Sequence, residues 1–66
     1  MKIIPINEVS KQTGISRRSI YNLLSNGLFP TPVQLTSRRV GWVQSEVDAW
    51  IEAKISQRDT SYDTAL

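Results

Sequence analysis

A chain of 66 residues with no cysteine and no histidine has room for one domain, and neither a disulfide framework nor a Cys/His zinc site can staple it. A domain of this size buries only about 60% of the surface its unfolded chain exposes, so its stability must come from apolar packing alone. The net charge of +2 averages a basic part (Lys2, Lys11, Arg17, Arg18, Arg38 and Arg39 against Glu8, +5 over residues 1–45) with an acidic one (Lys54 and Arg58 against Glu46, Asp48, Glu52, Asp59 and Asp63, −3 over residues 46–66).

Residues 1–6, MKIIPI, set three isoleucines around Pro5, which disfavours helix at Ile4 and predicts an extended arm packed onto the domain. Asn7 suits the N-cap of a short helix over residues 8–13, with Val9 pointing inward and Gly14 as its stop. The segment ISRRSIYNLLSNG then predicts a helix from about 17 to 26 with both ends marked. Ser16 caps it, Ile15 staples onto Ile20, and Ile20, Leu23 and Leu24 form its apolar stripe. Gly27 supplies the left-handed residue that ends it. Only Thr13, Gly14 and Ile15 separate the two helices, a turn as tight as that of a helix-turn-helix unit.

After Gly27, Phe29, Pro30 and Pro32 impose an extended path. Residues 33–35 and 40–43 are β-favouring runs on either side of Thr36, Ser37, Arg38 and Arg39, which predicts a hairpin with a basic tip, a wing. A third helix is predicted to start at Ser45, with Asp48 at the third position as in a capping box. Its apolar face is Val47, Trp50, Ile51 and Ile55. Trp42, Trp50 and Phe29 read as core fillers rather than as platforms for bases. From Gln57 the segment QRDTSYDTAL has no periodicity and only Tyr62 and Leu66 to bury, which predicts a loose tail. The expected organisation is therefore a domain at 1–56 and a flexible tail at 57–66. Its expected fold is mainly α with a small β-hairpin, a winged helix-turn-helix.

Stepping 100° per residue from Ile20 sends Arg18, Tyr21, Asn22 and Ser25 to the outer side of the second helix and Arg17 to its flank. Arginine can grip guanine bidentately or hold a phosphate, and the Asn22 amide can pair with adenine. Tyr21 can donate to a phosphate or press on a thymine methyl. The capped helix start adds backbone N–H groups suited to phosphate. An exposed helix face must be polar in any case, so solvation alone is a competing explanation for these residues. However, cations in a first helical turn oppose the macrodipole, at about 0.3 to 1 kcal/mol each. Selection for stability would place acids there, and Arg17 and Arg18 in that turn point to an anionic ligand. At the hairpin tip, Arg38 and Arg39 gain nothing structural from being adjacent and suit a DNA backbone or minor groove. Strand alternation sends one toward DNA and the other away, and the order is open. Protection of an edge hairpin from aggregation is the alternative. Asn7 and Lys11 are secondary candidates for backbone contact.

Enzymatic readings fail on inventory. Without His, Cys or a glycine-rich phosphate loop, and with the acids gathered on the last helix and tail, no base, nucleophile pair or metal cluster can be assembled. No cofactor or metal is expected, and Glu46, Asp48 and Glu52 read as a solvated helix face. No stretch reaches the length of a membrane span, and the first residues lack the pattern of a secretory signal, so a cytoplasmic protein is expected.

Three fragments then carry a family resemblance over residues 4–55: TGISRRSIY within NEVSKQTGISRRSIYNLLSNGLFPTPVQL, the GLFPTPVQL approach to the wing, and RRVGWVQSEVDAWI. In this order and spacing they resemble the AlpA-like phage and prophage regulators, which sit with small excisionases and the DNA-binding half of the MerR group. The resemblance implies a MerR/excisionase-like winged helix-turn-helix in a bacterial host cell, with double-stranded DNA as partner. It implies control of integrase or mobile-element genes or, alternatively, the directing of site-specific excision, with repeated copies on adjacent sites and an integrase as further partners. The implied DNA contacts fall on Ser16, Arg17, Arg18, Tyr21 and Asn22 in the recognition helix and on Ser37, Arg38 and Arg39 in the wing. No long dimerisation helix of the MerR type is expected, and a monomer in solution follows from a core that takes up nearly all the apolar residues. A protein-interaction module of antirepressor type is the reading from a different class.

Overall fold

Pro5 decides where the first helix begins. Its backbone is extended (φ −78°, ψ 167°), it has no N–H to leave unsatisfied, and its carbonyl accepts from the amides of Glu8 and Val9 at 3.0 and 3.1 Å. Helix α1 therefore spans Ile6–Thr13. Asn7 lies inside it rather than capping it, and no side chain caps this helix, which corrects the expectation of a start at residue 8. The structure, a computed structural model, describes the backbone of residues 1–65 and the side chains of residues 1–59.

The tight turn and the second helix follow the local code closely. Gly14 sits at φ 73°, its amide donates to the Ser10 carbonyl at 2.8 Å, and Ser10 Oγ donates to the Ile15 carbonyl at 2.6 Å. Helix α2 spans Arg17–Ser25, and Ser16 Oγ accepts from the Ser19 amide at 3.2 Å, a working N-cap. At the other end Gly27 takes φ 71°. The Gly27 and Leu28 amides reach back to the carbonyls of Leu24 and Leu23 at 3.1 and 2.8 Å, the Schellman pattern that only a left-handed residue allows without strain.

The extended arm is more than a loose cover. Ile3–Ile4 form strand β1, Val33–Gln34 form β2 and Val40–Val43 form β3. The sheet order is β1-β3-β2, antiparallel throughout, with Ile3 opposite Val43 and Ile4 opposite Trp42 on one side and Val33 opposite Gly41 on the other. The hairpin is thus the outer part of a three-stranded sheet. Gly41 lets the strands close up at its centre, because a Cβ there would meet the Ile3 Cγ2 and force that side chain to move.

Strand β3 passes directly into helix α3, which spans Gln44–Ala65. The Gln44 amide donates to the Lys2 carbonyl at 2.8 Å, so the arm satisfies the helix start and the expected Ser45 cap is not used. Ser45 lies within the first turn, and Asp48 accepts instead from Gln44 Nε2 at 2.9 Å. The Gln44 amide group also pairs reciprocally with that of Gln12 on α1, at 2.7 and 3.0 Å. Helical backbone continues through residues 57–65, where aperiodicity predicts a loose tail. Residues 52–59 are exposed, so packing within the chain does not hold that part of the helix. The side chain of Tyr62 and the whole of Leu66, the apolar residues expected in the tail, lie outside the described residues.

One buried side chain comes from nearly every element: Ile4, Val9, Ile20, Phe29, Trp42 and Val47, each contributing about 1.5 to 3 kcal/mol by leaving water. The indole N–H groups have partners, Trp42 donating to the Pro30 carbonyl at 2.9 Å and Trp50 to the Leu28 carbonyl at 2.8 Å. Phe29 packs on Trp50 with ring centroids 4.8 Å apart. These contacts tie the proline-rich connection to the core, and so fix where the hairpin leaves α2. Ile55, at the end of the predicted apolar face, remains 38% exposed.

Candidate nucleic-acid interface

Burial of Ile20, with Leu23 and Leu24 half-buried beside it, orients α2. The same rotation leaves Arg17, Arg18, Tyr21 and Asn22 exposed. No acid occupies the first turn of this helix, and Arg17 is its first residue, so both arginines stand where the peptide dipoles are least favourable to them. Among the described residues the one ion pair is Arg58–Asp59 on α3, at 3.1 Å. No carboxylate therefore pairs with Arg17, Arg18, Arg38 or Arg39 among those residues. Arg17 has a neutral partner instead, donating from Nη1 to Asn7 Oδ1 at 3.4 Å. Asn26 Nδ2 donates to the Asn22 backbone carbonyl at 2.9 Å, and the Asn22 side-chain amide itself has no protein partner among the described residues. Tyr21 is 45% exposed, with its ring tilted against Trp42 at 6.4 Å.

The hairpin tip is organised by a residue that sequence reasoning passes over. Thr36 Oγ1 accepts from the amides of Arg38 and Arg39 at 3.2 and 3.0 Å, and the Leu35 amide donates to the Arg39 carbonyl at 2.9 Å. A hydroxyl two and three residues ahead of the amides it binds is the signature of an ST-turn, so the signal is present in the Thr-Ser-Arg-Arg run. Ser37, Arg38 and Arg39 are all exposed.

The two expected contact regions meet in part. Tyr21 from α2 and Arg38 and Arg39 from the tip line one open groove of about 500 Å³ whose floor includes Ile3, Leu35 and Gly41. Ser16, Arg17, Arg18, Asn22 and Ser37 are not part of that lining. They are exposed at the start and along α2 and in the tip. A smaller groove, about 330 Å³, lies between α1 and α3 and is lined by Ile15, Trp50, Ile51 and Ile55 with Lys54 and Arg58. No group of three or more metal-ligating side chains converges among the described residues. No helix among them is long and apolar enough to cross a membrane.

A mainly helical chain with a small antiparallel sheet and four exposed arginines without a carboxylate partner among the described residues is compatible with a small DNA-binding domain. Residues 2–55 match the family described as prophage CP4-57 regulatory protein (AlpA), and the chain belongs to that family. It is 39% identical over 62 residues to an uncharacterized protein, ORF88, of enterobacteria phage P4, covering 94% of this chain and 70% of that protein. It is 28% identical over 60 residues to the DNA-binding transcriptional activator AlpA of Escherichia coli, covering 82% of this chain and 86% of the relative.

Proposed function

We propose that this chain is a sequence-specific, non-catalytic binder of double-stranded DNA that regulates transcription of phage or mobile-element genes. In this reading the fold works as a winged helix-turn-helix. Helix α2 enters the major groove, where Arg17, Arg18, Tyr21 and Asn22 meet base edges and phosphates, and Ser16 adds its cap region. The β2–β3 hairpin lies along the adjacent minor groove, with Ser37, Arg38 and Arg39 on the backbone. Residues 1–56 are the DNA-binding unit, and the protein acts as a cytoplasmic monomer that occupies one or more sites.

The observation that carries this reading is the absence of a carboxylate partner for two exposed arginine pairs among the described residues, one of them in the first turn of a helix whose dipole disfavours it. Membership in a family of prophage regulatory proteins supports it, as does the DNA-binding activator function of the Escherichia coli relative. The test is selection of bound duplexes from the source genome followed by salt titration. Arg38→Ala or Arg39→Ala is expected to reduce the salt slope of log K by about one for each phosphate that the variant leaves without its arginine. A flat salt response with no retarded DNA band refutes the proposal and favours a protein-interaction module. Footprinting across a flanking integrase promoter and attachment site, with an excision assay, separates regulation from excision. Promoter binding without excision rules out the excisionase role.

A further inference from the structure

Asn7 does nothing that the fold requires. The extended residue at the start of α1 is Pro5, and no side chain caps that helix, so the usual reason for an asparagine near a helix start does not apply. Asparagine is also a poorer helix former than alanine or lysine at an exposed position. The hydrogen bond that its side chain makes among the described residues is with Arg17, Nη1 donating to Oδ1 at 3.4 Å. It is the link between polar side chains of α1 and α2. Arg18, the next residue, has no such brace among the described residues.

The chemistry of this pair is selective. A guanidinium carries five N–H donors in a fixed plane, so one contact through Nη1 leaves donors on its other edges for a ligand. An aspartate at position 7 would hold the same group but cancel its charge, whereas an amide oxygen holds it and leaves the charge whole. We propose that Asn7 is a positioning residue that holds the Arg17 guanidinium for directional contact with a base edge. This rests on the DNA-binding reading above and deepens it. Arg17, braced, reads a base, and Arg18, unbraced, serves the phosphates.

The test uses the full chain and a duplex that it has selected from a random-sequence pool. Asn7→Ala is expected to melt no lower than the unaltered protein, since alanine is the better helix former. It should nevertheless bind the selected duplex about 3- to 10-fold more weakly, as an unbraced side chain must be ordered on binding. The loss should appear as flattened preference at a single base pair with an unchanged salt slope, and should vanish when Arg17 is already alanine. Asn7→Asp keeps the acceptor and should retain that base preference while lowering affinity and salt slope through its added charge. Independent, additive effects of Asn7→Ala and Arg17→Ala overturn the inference, as does a uniform loss with a reduced salt slope, which would mean that Asn7 itself touches phosphate. Absence of any effect at Asn7, or at Arg17 while Arg18→Ala and Arg39→Ala weaken binding, overturns it alone. Failure of the unaltered chain to retard any duplex refutes the reading on which it rests.

Discussion

The two arginine pairs are carried by structures of very different stiffness. Helix α2 is hydrogen-bonded at both ends, by Ser16 at its start and by the turn at Gly27 and Leu28 after its end, and it is bolted to the core through fully buried Ile20. The hairpin tip hangs from a two-residue strand whose Val33 is 38% exposed and whose neighbour Leu35 is 49% exposed. The Thr36 turn, the Leu35 and Thr36 amides on the Arg39 carbonyl and one flank of β3 hold it, all of them exposed bonds at the edge of the sheet. Discrimination between bases needs side chains fixed to a fraction of an ångström, while attraction to phosphate tolerates movement. The stiff carrier is suited to the first task and the compliant one to the second.

Removing what the two carriers share should have the largest effect. Trp42 belongs to β3, meets Tyr21 of α2 at 6.4 Å and is fully buried. Trp42→Ala should cost about 3 to 5 kcal/mol, roughly the whole stability of a domain this small, and abolish the cooperative thermal transition in circular dichroism. Ser16→Ala acts on the helix alone. It should lower stability by about 1 kcal/mol, seen as a lower urea midpoint at constant m-value. The contrast itself is tested by paired substitutions at low salt. Arg17→Ala and Arg18→Ala should each raise stability by about 0.3 to 1 kcal/mol by relieving the helix dipole, whereas Arg38→Ala and Arg39→Ala should leave the urea midpoint unchanged. Equal behaviour of the two pairs would remove the electrostatic argument for a ligand at α2. Thr36→Ala should have the smallest effect, about 0.5 kcal/mol for solvent-accessible bonds, with looser amide protection at the tip in hydrogen exchange.

The parts of this molecule that local chemistry specifies are legible in its sequence. Ser16, Gly27 and the Ile20 stripe define α2 within nine residues, and the left-handed Gly14 defines the turn before it. The two misplaced helix starts have different causes, a distant backbone group in one and a neighbouring proline in the other. The Lys2 carbonyl meets the Gln44 amide, so α3 starts without the Ser45 cap. The extended Pro5 takes the place assigned to Asn7, which frees that side chain for Arg17. A two-residue strand has no periodicity to read, so the pairing of β1 with β3 is invisible in the sequence although its extended form is not. Of the candidate site, the exposure of the eight residues and the partial convergence of Tyr21, Arg38 and Arg39 are structural facts. Their separate contacts with DNA rest on the experiments above.

The pairing of β1 with β3 also sets the order in which the protein can be made. Ile3 and Val43 lie forty residues apart in the chain, and the Lys2 carbonyl waits for Gln44. A nascent chain that has emerged only as far as the hairpin tip holds its first strand without a partner and its α1–α2 unit without Trp42 beneath it. Folding is therefore delayed until β3 is clear of the ribosome, because non-local contacts offset their loop-closure entropy only once both ends are present. Without β3 beside them Ile3, Ile4 and Ile6 form an apolar segment with no strand partner, the kind of surface on which partly folded chains associate.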